Sequence, residues 1–275
     1  MNEQVDCPYC HSNESTPWAK ENGYVAVKCN DCGFVYVNPR PQQSFIKESV
    51  KEGVHAYLSK PRSKITHRMN SKINLYSKIF RMMCPELSKQ RKPIKWLDVG
   101  AGFGEVVQAV MSFAPEGSYI MGVEPMIAKA ETARSKGINV VHGYVDDIKQ
   151  KFDFVSVINV FSHIPNISEF IKNCYNVLDV QGEIIMETGN IGDLTSSAEV
   201  PTELDLPDHL IFAGEKHIVG FLEQAGFKVI STKAYRRDTF VNLLKNVVKK
   251  LLGRSVTIRM PYTSPYRTII VRAKK

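Results

Sequence analysis

Trp96-Leu97-Asp98-Val99-Gly100-Ala101-Gly102-Phe103-Gly104-Glu105 is the stretch whose reading decides the fold of this chain. Its apolar start reads as a strand, its three alternate glycines as a tight turn, and the residues from Glu105 onward as the start of a helix. Glycine takes positive φ without strain and lets the backbone come close to a ligand, while the unpaired N–H groups of a helix start offer donors to it. The stretch therefore predicts a nucleotide-like ligand. A dinucleotide-binding fingerprint needs a glycine three residues after Gly102, and position 105 is Glu, so the spacing G-x-G-x-G argues against nicotinamide.

Downstream, Tyr119-Ile120-Met121-Gly122-Val123 is a second apolar run that ends at Glu124, about 20 residues beyond the glycines, where an acid can accept both hydroxyls of a ribose. Pro125 then opens another helix. This pattern resembles the class I S-adenosylmethionine-dependent methyltransferases, whose first motif is an acidic residue plus G-x-G-x-G and whose second strand ends in a ribose-binding acid. Asp98 and Glu124 match those positions. The resemblance implies an α/β fold with a Rossmann-like seven-stranded sheet and S-adenosylmethionine as cofactor. It implies cofactor contacts from Asp98, Gly100, Ala101, Gly102, Phe103, Gly104, Glu124, Pro125 and Met126. Met126 to Lys136 reads as a helix closed by Gly137, and Asn139 to Gly143 as a third strand. In the family the residues just after that strand hold adenine, which points to Tyr144, Val145 and Asp146, with Asp146 able to accept from the exocyclic amine.

Phe152 to Pro165 reads as a fourth strand running into a loop at its carboxyl end, where ligands bind in open α/β sheets. It resembles the family pattern F-D-x-V-x-x-x-x-V-x-x-H, which implies backbone contacts to the methionine part of the cofactor near Asn159 and Val160. It is not N-P-P-Y or D-P-P-Y, which argues against methylation of adenine or of a side-chain amide. His163 comes just after the strand end, with general base and backbone tie as its two readings. After a helix from Ile167 to Leu178, the strand Gly182 to Thr188 brings Glu187 and Asn190 to the same crevice. Ile191 to Leu206, with several acids and Pro201, reads as a long loop over the site. Asp208-His209-Leu210-Ile211-Phe212, with a helix to Gln224 and then Ala225-Gly226-Phe227, resembles the family segment before the sixth strand and sets His209 on the lid side. Phe227 to Ala234 is then the sixth strand, and Arg267 to Ala273 the seventh, which the resemblance inserts antiparallel at the sheet edge. The expected proton acceptor is His163 or His209, with Glu187 as an orienting carboxylate.

At the N-terminus, Cys7-Pro8-Tyr9-Cys10 and Cys29-Asn30-Asp31-Cys32-Gly33 are C-x-x-C knuckles separated by 18 residues, the spacing of a structural four-thiolate zinc site. Such a site leaves no open position for water, so Cys7, Cys10, Cys29 and Cys32 are assigned to folding. Tyr24 to Lys28 and Phe34 to Val37 read as a hairpin, making residues 1–40 a zinc ribbon. A ribbon with this exit through Asn38-Pro39-Arg40-Pro41 also resembles a group of methyltransferases that carry it ahead of the catalytic domain, many associated with sugar or polysaccharide modification. Residues 41–92 form a helical lead-in, with Ile65, Met69, Ile73, Tyr76, Ile79, Phe80 and Met83 at helical spacing, and 93–275 the methyltransferase domain. Cys84 has no ligand neighbour and reads as a core or surface thiol.

The 275 residues carry a net charge of +8, distributed unevenly. Residues 93–227 hold 8 Lys+Arg against 19 Asp+Glu, and residues 228–275 hold 13 against 1. An acidic centre suits a sulfonium cofactor, and basic flanks suit an anionic substrate, RNA or a membrane surface. From Phe240 to Leu252, Phe240, Val241, Leu244, Val247, Val248 and Leu251 form a stripe beside Lys245, Lys249, Lys250 and Arg254, so peripheral membrane contact or docking on the domain is expected there. No apolar run reaches a bilayer-spanning length and the N-terminus has no signal-peptide pattern, so a cytoplasmic chain with reduced cysteines is expected. The expected activity is methylation of a small hydroxylated acceptor, a nucleotide- or carrier-linked sugar, with carbon methylation as a variant. Alternatives are an RNA methyltransferase using ribbon and flanks, against which the ribbon's few basic residues argue, and a non-enzymatic cofactor-binding adapter, against which the intact Asp98, glycines and Glu124 argue.

Overall fold

The computed structural model of the protein describes residues 2–52, 69–200, 203–236, 240–253 and 265–275. Ile65, Pro201 and Arg254 lie outside them, as do the side chains of Met69, Phe240 and Val241. The chain opens with β1 (Asn2–Glu3), β2 (Ser15–Glu21), β3 (Tyr24–Cys29), β4 (Val35–Val37) and β5 (Arg40–Pro41), then α1 (Gln43–Glu52) and α2 (Met69–Met83). The glycine-rich stretch forms β6 (Lys95–Val99) and α3 (Glu105–Met111), and after it come β7 (Tyr119–Glu124), α4 (Ile127–Ser135), β8 (Val140–His142), β9 (Phe152–Ile158) and α5 (Ile167–Val177). The remainder is β10 (Leu178–Gly189), β11 (Ile211–Phe212), α6 (Glu215–Gln224), β12 (Lys228–Tyr235), α7 (Phe240–Leu251) and β13 (Thr268–Lys274).

Seven strands form one sheet in the order β12-β13-β10-β9-β6-β7-β8. The strands β8, β7, β6, β9 and β10 are mutually parallel, and β13 is antiparallel to both of its neighbours. This is the expected α/β sheet with one correction. The seventh strand lies inside it, and the sixth, β12, takes the edge. The burial pattern gives the reason: Thr268 to Ala273 is buried throughout, a run suited to a central strand, whereas β12 is only half-buried.

Trp96 shows how the sheet holds its helices. It is fully buried, stacks on Phe154 at 5.0 Å and meets the edge of Phe80 from α2 at 5.1 Å. Ile79, Phe80 and Met83 bury the same face of α2, so this helix packs on the sheet, and Cys84 ends it as a core thiol.

The ribbon is built into the rest of the molecule. The sheet β11-β4-β3-β2 takes its last member from the second half of the chain, and the strand Ser15–Glu21 was not anticipated because its sequence is polar and contains Pro17. Cys7, Val27, Cys29, Phe34 and Tyr36 belong to one apolar core with Val155, Phe161, Phe221 and Val271. Tyr9 meets Phe221 and His217 of α6 edge-on at 5.0 and 4.9 Å. A Cβ at Gly220 would fall 2.1 Å from the Tyr9 hydroxyl, so any side chain there would displace the Tyr9 ring from α6.

Candidate functional site

At the carboxyl edge of the sheet, the turn after β6 comes close to the turn after β9. Gly100 and Gly102 have φ of +75° and +56°, and Gly104 caps α3 at +83°. A Cβ at Gly100 would lie 2.4 Å from Cγ2 of Val160. Gly100 and Ala101 donate their N–H groups to the Val123 carbonyl, at 2.8 and 3.1 Å, which fastens the turn to β7.

Glu124, 5 % exposed at the end of β7, accepts the N–H of Gly102 on one carboxylate oxygen at 2.7 Å and the N–H of Met126 on the other at 3.0 Å. Each oxygen retains a second lone pair, so the carboxylate keeps capacity for a diol. Asp98 lies beneath the turn, 2 % exposed. It accepts the Ser156 hydroxyl at 2.6 Å, and that hydroxyl accepts the Trp96 indole N–H at 2.9 Å. Burial pushes the Asp98 carboxyl up to about 8, against the Ser156 hydrogen bond, which lowers it; Glu124 and Glu105 add to the rise.

A cavity of about 390 Å³ opens here. Of the expected cofactor residues, Gly100, Gly102, Glu124, Pro125, Met126, Tyr144, Val145, Asp146, Asn159 and Val160 line it. Asp98, Ala101, Phe103 and Gly104 are not among its lining residues. Asp146 faces the cavity, whereas Asp147 turns back to accept the Tyr144 N–H at 2.8 Å. Asn159, at φ +57°, ends β9 in the left-handed conformation that asparagine tolerates.

The same cavity is lined by His163 and Asp208. Nδ1 of His163 lies 3.0 Å from the Asp208 carbonyl oxygen and 3.5 Å from its carboxylate. Nδ1 of His209 lies 2.7 Å from the Leu204 carbonyl oxygen. With a proton on each Nδ1, both rings donate to carbonyls and keep Nε2 as a base. Burial first, and then the charge of His163, hold the His209 imidazole below its usual range.

Glu187 is a correction to the expected orienting carboxylate. It is fully buried on β10 and accepts the Tyr235 hydroxyl of β12, two strands away across β13. The carboxylate beside His163 is that of Asp208. The sequence pattern assigns Asp208 no role, although its place next to His209 was a usable signal. His209 itself stands behind His163 and is not part of the cavity wall.

The loop that carries Asp208 leans on the ribbon more than over the cavity. Glu21 of β2 accepts the N–H groups of Leu204 and Leu206 at 2.8 and 3.1 Å, Asn22 donates to the Leu206 carbonyl at 2.8 Å, and Lys28 donates to that of Leu194 at 3.0 Å. Leu194, Val200, Leu204 and Leu206 pack with Ala26, Val35 and Val37. The stretch expected as a lid over the site is thus largely a bracket between ribbon and cavity, and among its described residues only its end, from Asp205, lines the wall. Asn22 and the α1 residues Phe45 and Ile46 complete that wall and were not anticipated.

The four ribbon thiols converge, with Sγ separations of 3.5 Å for Cys7–Cys32 and Cys10–Cys29, and all four lie within 4.8 Å of one another. Burial pushes the Cys29 thiol up, but N–H groups of Cys32 and Asp31 and the nearby thiols outweigh it and bring it to about 7. A soft, closed donor set of this kind fits one tetrahedral zinc ion.

Residues 65–232 match the family described as "Methyltransferase domain". A ubiquinone biosynthesis O-methyltransferase of Pseudomonas fluorescens is 26% identical over 106 residues, which cover 35% of this chain and 44% of that protein; the match thus spans less than half of the relative's length. Among solved structures, a SAM-dependent methyltransferase of Archaeoglobus fulgidus superposes with a TM-score of 0.51 at 19% identity, covering 74% of this chain and 94% of that one. Geranyl diphosphate C-methyltransferase of Streptomyces coelicolor gives a TM-score of 0.56 at 14% identity, covering 72% and 75%.

Proposed function

The chain belongs to the methyltransferase domain family and carries a SAM-dependent methyltransferase fold, and on that premise we propose that it methylates a hydroxyl of a small, sugar-type acceptor, free or carrier-linked. The observation that carries this reading is that one cavity is lined both by Glu124 and the glycine turn and by His163 and Asp208. S-adenosylmethionine, when bound, supplies an electrophilic methyl on a sulfonium centre. Glu124 would accept its ribose hydroxyls, the loop of Tyr144 to Asp146 would hold adenine, and the backbone around Gly100 and Asn159 its methionine part.

His163 then performs the proton chemistry. Its Nδ1–H is fixed on the Asp208 carbonyl, which leaves Nε2 to take the acceptor proton while the acceptor oxygen bonds to the methyl carbon. The imidazolium would release that proton to solvent once the methyl, supplied by the sulfonium with its bonding pair left on sulfur, has been transferred. The Asp208 carboxylate lies 3.5 Å from the same Nδ1. Cys7, Cys10, Cys29 and Cys32 would hold one structural zinc whose role is to fix the ribbon and, through Glu21, the loop bearing Asp208.

Labelled methyl transfer into cell-extract fractions separated by size and charge tests the acceptor class. Label in small anionic or carrier-linked fractions supports the reading, and label in RNA overturns it.

A second reading rests on one further observation: His163, Asp208 and His209 present ligand atoms within 4.8 Å of one another. A divalent ion held there would acidify the acceptor hydroxyl in place of a free base. Elemental analysis separates the two, since about one metal per chain fits the ribbon alone and a second, lost in His209→Gln, fits the metal-assisted form.

A further inference from the structure

We propose that α7 is an interfacial helix that docks the protein on an anionic lipid bilayer. Leu244, Val248, Leu251 and Leu252 are 65, 54, 82 and 70 % exposed. They recur at i, i+4, i+7 and i+8, which sets them on one face of a helix. Isolated exposed apolar residues are ordinary, but four large ones aligned on a single helix are a binding face.

The polar side of the helix decides the partner. Lys245, Lys249 and Lys250 occupy it, and residues 240–253 contain no acidic side chain. The segment 228–275 carries 13 Lys+Arg against 1 Asp+Glu, so the stretch of chain that contains α7 is strongly basic. An apolar face flanked by lysines matches the boundary between acyl chains and anionic headgroups, where each side of the helix finds its own solvent. A nucleic acid would use the lysines and leave the leucines in water. At 12 residues α7 is too short to cross a bilayer, and no helix among the described residues is long and apolar enough to do so, so it lies in the interface plane.

The topology gives the docking a direction. β12 runs parallel to β10, so its end at Tyr235 falls on the carboxyl edge of the sheet, and α7 leaves from that edge before β13 returns from it. The cavity opens on the same edge. Docking through α7 therefore turns that edge toward the lipid surface, whatever the acceptor is.

Sedimentation of the full chain with vesicles tests the proposal, using phosphatidylcholine alone and phosphatidylcholine with a minor share of phosphatidylglycerol. The protein should pellet with the anionic vesicles far more than with the neutral ones, and less as salt rises. Leu244→Asp combined with Val248→Asp should abolish pelleting, and Lys249→Gln with Lys250→Gln should weaken anionic binding by about 5-fold per lysine. Circular dichroism and thermal melting establish that each variant is folded. A folded wild type that stays in the supernatant with anionic vesicles overturns the proposal. So does equal pelleting of the double-aspartate variant, or RNA binding that survives the aspartates and falls with the lysines.

Discussion

His163 and His209 stand ring to edge, with centroids 4.6 Å apart and planes inclined by 61°, although one comes after β9 and the other before β11. Two imidazoles so close cannot both carry charge cheaply, and burial together with the charge of His163 lowers the pKa of the His209 imidazole. In the proposed reading His163, on the cavity wall, is the proton acceptor. His163→Gln should lower single-turnover methyl transfer by a factor of about 10²–10⁴, the usual loss of a general base. His209→Gln, which keeps a hydrogen-bonding side chain behind the wall, should cost much less. Near wild-type turnover in both variants would remove histidine from the chemistry.

The Glu21 carboxylate joins the ribbon to the Asp208 loop through two backbone N–H groups. In Glu21→Ala the loop loses both charge-assisted bonds, so KM for the acceptor should rise on the order of 10-fold while cofactor affinity holds. Equal weakening of both ligands would show that the ribbon supports the whole cavity and not the acceptor side alone.

The sequence made the glycine turn and its facing acid legible, because Gly100 and Gly102 are required by backbone geometry and Glu124 follows at a fixed spacing along the chain. The acceptor half was less so. Its wall is assembled from Asn22, α1, His163 and Asp208, positions brought together only by tertiary packing, and no local period marks such a convergence. Glu187 misled for a related reason. A strand end faces the crevice in projection, but the side chain alternates, and this one points toward Tyr235. The strand Ile211–Phe212 was hidden because two residues carry no periodicity and acquire a partner only when β4 is in place.

Asp98 gives stability a pH dependence of known sign. Its folded-state value, raised from 3.8 to about 8, means that between those limits the folded chain holds a proton that the unfolded chain has released. Its contribution is therefore fully present below the unfolded value and is lost as pH rises toward about 8. Asp98→Asn keeps an acceptor for Ser156 and removes the ionisation. Melting temperature tracked from mildly acidic to mildly alkaline pH should fall for the wild type and stay flatter for the variant; parallel curves would show that Asp98 does not titrate in this window.

Elemental analysis should find zinc at about one ion per chain in the wild type. Cys7→Ser or Cys32→Ser should release it. Because Cys7 shares a core with Phe221 and Val271, its loss should also lower the melting temperature of the whole molecule. A metal-free wild type with an ordered ribbon would contradict the zinc assignment.

The central claim is that the cofactor sits on the glycine turn with its ribose on Glu124, and calorimetric binding of S-adenosylhomocysteine to wild type and Glu124→Ala tests it most directly. Removing an acceptor for two hydroxyls should cost roughly 1.5–3 kcal/mol, so affinity should fall by about 10- to 150-fold. Equal affinity in the two proteins would contradict the account.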